Sequence, residues 1–392
     1  MKKILLPVVL IGLTISFSFS KDFKKIHSHA IVVDTHNDVL MRAVEGEDLS
    51  FRTVRGHCDL IRLKEGGVDV QIFSIWCGEN YGKGTAFARA NQILDTLNSL
   101  VLRNPNTIAF AHNEHDLRKI LHQKKLAALI GVEGGHMIED SLFYLDSLAK
   151  RGMNYLTLTW NNSTSWATSA ADETEHGDSL AFKGLTDFGK QVIQRLNKLG
   201  VMVDLSHVGE KTFWDAIAVA KKPVIVSHSS VYAICPQWRN LKDDQIKAVA
   251  KNNGVICVNF YSGFLDSTFE RKAKAIKDSN KIMIDSITQL YTDHHQTNII
   301  IDSLLKSQFE TIRPPLSLLI DHIDYLVKLA GINHVGIGSD FDGVESVPQE
   351  MDDVTFLPNI TRELLRRGYT EKQIDKILGG NVLRVLKANW RK

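Results

Sequence analysis

The chain has 392 residues, 44% of them apolar and 23% charged, an ordinary globular composition with enough length to bury a large core. Its 47 basic and 45 acidic residues leave a formal net charge of +2, with no basic block or arginine-rich run. Nucleic acid is therefore not an indicated partner, and small molecules are the better expectation.

The first twenty residues, "MKKILLPVVLIGLTISFSFS", join two lysines to an apolar stretch of roughly fifteen residues that ends in Ser-Phe-Ser. This reads as a secretory signal peptide, with residues 21–392 as a single mature domain. The apolar stretch is short for a membrane span, and no cysteine near its end could carry a lipid. The C-terminal "VLRVLKANWRK" lacks the hydrophobic tail of a lipid-anchor signal. A soluble exported protein is expected, periplasmic if the source is a Gram-negative bacterium. Cys58, Cys77, Cys235 and Cys257 lie far apart with no CxxC pair, so neither a cysteine zinc site nor a disulfide framework is indicated. They are expected to be mostly buried and inert.

Beyond the leader the chain repeats one rhythm: a short apolar run of β type, a loop, then a stretch of helical period. The predicted strands are "AIVVDTH" (30–36), "VDVQIFSIW" (68–76), "LAALIGVE" (126–133), "YLTLTW" (155–160), "VMVDLSH" (201–207), "PVIVSHS" (223–229), "GVICVNFY" (254–261) and "HVGIGSD" (334–340). Helical patterns such as "AFARANQILDTLNSLVLR" and "LTDFGKQVIQRLNKLG" lie between them. Alternation of this kind implies a parallel sheet, and eight units predict a closed (β/α)8 barrel of the TIM type; an open doubly wound sheet is the alternative. The charged segment 265–314, between the seventh and eighth strands, reads as a helical insertion or lid. Residues 371–388 read as a final amphipathic helix.

In such a barrel the active site forms at the C-terminal ends of the strands, which sorts the histidines. His27, His29 and His334 precede strands; His112, His115, His122 and His322 fall in or beside helices; His57, His294 and His295 are expected to be solvated. His36, His207 and His228 end strands, with His136 and His176 in following loops. Asp38, Glu133 and Asp340 add carboxylates at the same end. His36 and Asp38, two apart in an extended segment, should point the same way. A lone strand-end histidine is ordinarily a hydrogen-bonded core residue. Three imidazoles and three carboxylates gathered at one mouth are costly to bury unless cations pair with them. Imidazole with carboxylate suits zinc, with manganese or iron as alternatives. One ion needs three or four ligands and five or six are offered, so a two-metal site with a shared carboxylate is expected. Two divalent ions, three carboxylates and one bridging hydroxide would be nearly neutral together. Metal-assisted hydrolysis is the implied reaction class.

The motifs "DTHND", "GVEGGH", "YLTLTW", "DLSHV", "PVIVSHSS", Arg239-Asn240, "VNFY" and "GSDFDGV", in this order, resemble the membrane (renal-type) dipeptidases, peptidase family M19. The likeness runs from about residue 26 to 388. It implies two zinc ions per chain, with His36 and Asp38 on one, His207 and His228 on the other, and Glu133 bridging. It further implies Asp340 as the acid/base that takes a proton from the bridging water and delivers it to the leaving amine. Arg239 matches the clamp for the substrate's C-terminal carboxylate, a task suited to a guanidinium fork. Dipeptides, including those ending in a D-amino acid, are the implied substrates, and a homodimer the implied assembly. Departures from the family pattern are Trp160 in place of a histidine, Trp76 and Phe264 in place of tyrosines, and the missing lipid anchor and cysteine pairs. With Trp160 unable to be cationic, Asn161, Asn162 or the metal is left to stabilise the oxyanion, and a more apolar pocket is expected.

Other polar residues receive supporting readings: Asp34 structural, Asp204 an acceptor that orients an imidazole, His136 a structural hydrogen-bonding group, and Asp342 a shaper of the turn after the eighth strand. No GxSxG elbow, HExxH helix or complete dinucleotide fingerprint is present. The alternatives to a dipeptidase are a related metal hydrolase acting on N-acyl-D-amino acids or lactones, and a barrel that binds peptide without turnover.

Overall fold

The computed structural model describes residues 19–290 and 294–390. The expected leader, but for its last two residues, lies outside them. The described residues hold nine strands: β1 (Val32–Asn37), β2 (Val68–Trp76), β3 (Ile108–Phe110), β4 (Leu126–Glu133), β5 (Met153–Thr157), β6 (Met202–Asp204), β7 (Ile225–Val226), β8 (Val255–Val258) and β9 (Val335–Ile337). They pair in the order β2-β1-β9-β8-β7-β6-β5-β4, and β4 returns to β2 from Val70↔Ala127 to Trp76↔Glu133. Every pairing is parallel, so the eight predicted strands form a closed TIM-type barrel. The strand not foreseen is β3, which lies alongside the first residues of β4, Ile108↔Leu126 to Phe110↔Ala128. Three residues are too few for a period of two to stand out from the flanking helices.

Several strands are shorter than predicted. The ladders of β6, β7 and β9 stop before His207, His228 and Asp340, where the chain leaves the sheet to present those side chains. His207 (φ 63°) and Asp340 (φ 60°) both take left-handed backbone conformations, which non-glycine residues adopt only at a cost.

The apolar residues divide into two sets. One lies between sheet and helices. The other fills the barrel: Val33, Val70, Ile72, Ala127, Leu129, Met202, Ile225 and Val255 pack with Val382, Val385 and Leu386 of the Asn381–Asn389 helix. Asn381 and Asn389 donate to carbonyls near the beginnings of β9 and β7, Val335 and Pro223. The C-terminal helix thus seals the end opposite the mouth. Its expected span, 371–388, is interrupted by a π-turn at Lys376–Gly380. There Gly379 passes so close to the Ile31 carbonyl that a Cβ would lie 2.1 Å from the oxygen. The expected insertion consists of helices Phe269–Ser279, Lys281–Leu290 and His294–Glu310.

Leu386 is 1% exposed in the interior cluster. Leu386→Ala should therefore destabilise the fold by about 2–5 kcal/mol, read as a lower midpoint in urea-induced unfolding.

Candidate metal centre and active site

The residues at the barrel mouth come from separate strand ends. β1 does not deliver His36 by simple alternation. Val33 belongs to the interior cluster, and the Thr35 hydroxyl donates to the Ser227 carbonyl (2.6 Å) and lies 2.9 Å from that of Ile337 on the neighbouring β9. A register shift between Asp34 and Asn37 then lets His36 follow Thr35 inward. Asp34, expected to be structural, accepts from the Ser339 amide (2.8 Å) and hydroxyl (2.7 Å) and braces the end of β9.

Each imidazole is held through Nδ1. His36 Nδ1 lies 2.8 Å from the Tyr155 hydroxyl, which itself donates to the Thr35 carbonyl. His228 Nδ1 lies 2.8 Å from the Ser227 hydroxyl, which donates to Asp204 at 2.6 Å. His207 Nδ1 lies 2.9 Å from Asn161 Oδ1. An oxygen whose proton is already given elsewhere, or an amide oxygen, can only accept, so all three rings carry hydrogen on Nδ1 and turn Nε2 into the cluster. Asp204 therefore acts on His228 through Ser227.

Glu133 stands between the imidazoles. Its Oε1 is 2.9 Å from His207 Nε2 and 3.2 Å from His228 Nε2, while Oε2 is 3.3 Å from His36 Nε2. Asp38 Oδ2 lies 3.4 Å from the same His36 nitrogen. Among the described residues three groups have ligand atoms close enough to hold an ion: His36, Asp38 and Glu133; Glu133, His207 and His228; and His36, His228 and Asp340. The donor set fits divalent cations. His207 Nε2 and His228 Nε2 are 2.9 Å apart with their lone pairs converging, and His36 Nε2 and Asp38 Oδ1 are buried with no hydrogen-bond partner. Such atoms call for positive charge between them.

The electrostatics agree. Burial alone would raise Glu133, yet His36 and the close approach of His207 and His228 hold it well below the usual carboxylate range. Burial would lower His36, but Tyr155, Glu133 and Asp38 raise it well above normal. Burial lowers His207 to about 4, helped by the Arg239 charge, and depresses His228 as well.

Asp340 Oδ2 accepts from Asn259 at 2.8 Å, which leaves Oδ1 facing His36 Nε2 at 3.9 Å. Burial, partly offset by His36 and reinforced by Asp38 and Glu133, pushes Asp340 up to about 7. Gly343 closes the turn beneath these carboxylates, where a Cβ would lie 2.2 Å from Asp38 Oδ2 and 2.5 Å from Asp340 Oδ1.

Arg239 is 3% exposed, and burial lowers its pKa to about 10. It donates to the Ser229 hydroxyl and to the His228 carbonyl, both at 3.2 Å, and lies over the Phe264 ring. Its Nε has no partner. Trp160 meets Trp76 edge-on, with ring centroids 5.1 Å apart, and lies 6.4 Å from the His207 ring. Asn161 is in the site as the support of His207.

The remaining residues stay outside the cluster. His136 Nε2 bonds the Cys77 carbonyl at 3.1 Å, His176 is exposed, and Asp342 accepts from the His57 and Cys58 amides. His57, expected to be solvated, is a correction: its ring is 20% exposed and Nδ1 accepts from the Asp342 amide, so the two residues tie the β1 and β9 loops together. All four cysteines are buried free thiols, and burial pushes Cys77 and Cys235 up to about 12.

The family model for membrane dipeptidases, peptidase family M19, matches residues 20–391. The chain belongs to the membrane dipeptidase family. It is 33% identical over 389 residues to an uncharacterised dipeptidase of Schizosaccharomyces pombe, covering 94% of this chain and 82% of that one. Among solved structures it is similar to the probable dipeptidase PvdM of Pseudomonas aeruginosa, with TM-score 0.76, 25% identity and coverage of 95% of this chain and 98% of that one. The fold is also shared with a metallopeptidase of Rhodobacter sphaeroides bound to a phosphinate mimic of the dipeptide L-Ala-D-Ala, with TM-score 0.74, 23% identity and coverage of 92% and 100%.

Supporting residues of this dipeptidase that carry no role in the sequence reading are Tyr155, Ser227, Asn259 and Gly131. A Cβ on Gly131 would lie 2.0 Å from the Tyr155 ring, so glycine on β4 is what admits the tyrosine on β5. The available signal is a glycine inside an otherwise apolar strand, which marks a close approach. Tyr155→Phe removes the acceptor for His36 Nδ1 and should weaken metal binding about 10–100-fold while leaving the fold intact. Gly131→Ala should do the same by displacing the ring. Competition with a chromogenic chelator checks both.

Proposed function

We propose that this metallo-dipeptidase is a binuclear zinc enzyme that cleaves free dipeptides, including those ending in a D-amino acid. The observation that carries the reading is the division of Glu133: one oxygen faces His207 and His228, the other faces His36, with Asp38 beside that ring. His36, Asp38 and Glu133 would hold one ion, and Glu133, His207 and His228 the other. Two such ions would supply Lewis acidity and bring the pKa of water toward neutrality.

The chain's own groups do the rest. Asp340, with one oxygen tied to Asn259 and the other facing the cluster, takes a proton from water and delivers it to the departing amine. Arg239, already braced by Ser229 and His228, receives the C-terminal carboxylate and so restricts the enzyme to substrates whose chain ends one residue past the scissile bond. Trp76 and Trp160 offer an apolar wall for the N-terminal residue. With Asn161 Oδ1 committed to His207, only its amide nitrogen is free to meet an oxyanion. The inclusion of D-residues draws support from the L-Ala-D-Ala mimic bound by the Rhodobacter sphaeroides neighbour. Export behind a cleaved leader, a periplasmic location and a homodimeric assembly complete the proposal.

Metal analysis of the purified protein should find about two zinc ions per chain. Glu133→Gln should lower the content of both ions together. Asp340→Asn should retain them and lose turnover, and full activity in that variant would remove Asp340 from the chemistry. Arg239→Ala should raise KM for free dipeptides far more than for C-terminally amidated ones; an equal effect on both would sink the clamp.

A further inference from the structure

A buried ion pair lies behind the turn that carries Asp340, apart from the groups able to hold an ion. Arg42 stands in the Leu40–Val44 helix, four residues after Asp38, with its side chain 11% exposed. Its Nη2 donates to Asp342 Oδ2 at 3.3 Å and to the Cys58 carbonyl, and its Nε lies 3.2 Å from Asp342 Oδ1. Its Nη1 donates to Glu47 at 2.7 Å and to the Thr53 hydroxyl at 3.1 Å. The Asp342 carboxylate, 3% exposed, also accepts from the His57 and Cys58 amides at 2.8 and 3.1 Å. The pair is enclosed so closely that a Cβ on Gly56 would lie 2.2 Å from Asp342 Oδ1 and 2.4 Å from Arg42 Nε.

Asp340 and Asp342 bracket a turn in which both take left-handed backbone conformations, at φ 60° and 65°. Side chains other than glycine persist there only where surrounding bonds enforce it. One side of the turn is tied to the end of β1. The Asp340 amide donates to the His36 carbonyl at 3.0 Å, and the Asp38 amide to the Phe341 carbonyl at 2.9 Å. The other side is tied through Asp342, and Arg42 supplies the charge that lets that carboxylate be buried.

We infer that Arg42 is a positioning residue for the acid/base: by clamping Asp342 it holds the turn so that Asp340 Oδ1 faces the cluster. The inference rests on Asp340 serving as that acid/base. The nitrogens of Arg42 are taken up by Asp342, Cys58, Glu47 and Thr53, so it acts through the turn and not on substrate. Without it the Asp342 carboxylate is left buried beside no counter-charge. The left-handed turn then relaxes, and Oδ1 leaves the position from which it can exchange a proton. Little movement is needed, since a displacement of about 1 Å can cost roughly 100-fold in rate.

Arg42→Met keeps a long side chain without the charge or the planar fork. With L-Ala-L-Ala and L-Ala-D-Ala as substrates, its kcat should fall about 100-fold. KM should stay within about twofold of the native value, and metal content should equal that of the native protein. The decisive readout is a double-variant cycle. In an Asp340→Asn background, Arg42→Met should change kcat by less than about twofold, because the group it positions is already gone. A purely structural role would add its full loss to that of Asp340→Asn. Gly56→Ala, which pushes a methyl between Arg42 and Asp342 without altering charge, should follow the same pattern and serves where Arg42→Met does not fold. An unchanged kcat, an equal loss in both backgrounds, or a loss that tracks metal content overturns the inference while leaving the dipeptidase reading in place. Full activity in Asp340→Asn overturns the acid/base role and the inference with it, and a native protein that cleaves neither dipeptide overturns the dipeptidase reading as well.

Discussion

The mouth of the barrel is organised by one carboxylate that must satisfy two opposed groups of imidazoles. Glu133 ends a fully buried strand, so its charge has no water to share it. With one oxygen committed to His207 and His228 and the other to His36, its place fixes where three further strand ends must finish. The pairing of β2 with β4 up to Trp76↔Glu133 is the longest in the barrel, and it gives the carboxylate a rigid base. The short ladders of β6, β7 and β9 leave their ends free to bend toward it.

Around that centre the order is maintained by groups that hold the imidazoles and turns in place. Tyr155, Ser227 and Asn161 each take the Nδ1 hydrogen of one imidazole and thereby decide which nitrogen is basic. Asp204 ties Thr157, Ser206 and Ser227 into one buried knot. Asp34 and Asp342 hold the turn that carries Asp340. The left-handed backbone at His207 and Asp340 is tolerated because these bonds over-determine the local geometry. Reactivity is thus confined to a few atoms, with rigidity distributed among many.

Much of this was legible in the sequence, and for a physical reason. Alternating apolar runs and helical periods report burial, and a barrel places strand ends together, so His36, Asp38, Glu133, His207, His228 and Asp340 could be grouped before any coordinates. Three kinds of feature escaped. β3 is too short to show a period. The shift in β1 that separates Asp34 from His36 cannot be seen in a pattern that assumes strict alternation. Partners such as Tyr155 with His36, or His57 with Asp342, are far apart in sequence, and their residue types give no hint of a pairing that only the closed sheet creates.

The C-terminal helix has a consequence for the order in which the molecule can be made. Val382, Val385 and Leu386 supply part of the barrel's interior, and they follow every strand of the barrel in the chain. Until they arrive, the floor of the barrel is open and its inward apolar residues are wetted or transiently covered by something else. The beginning of the chain waits as well, because His27 of the Phe19–His29 helix bonds Thr361 of the Pro358–Arg366 helix. Packing of the barrel interior therefore cannot finish before the Asn381–Asn389 helix has been made, and until then the nascent chain exposes apolar surface of the kind chaperones capture.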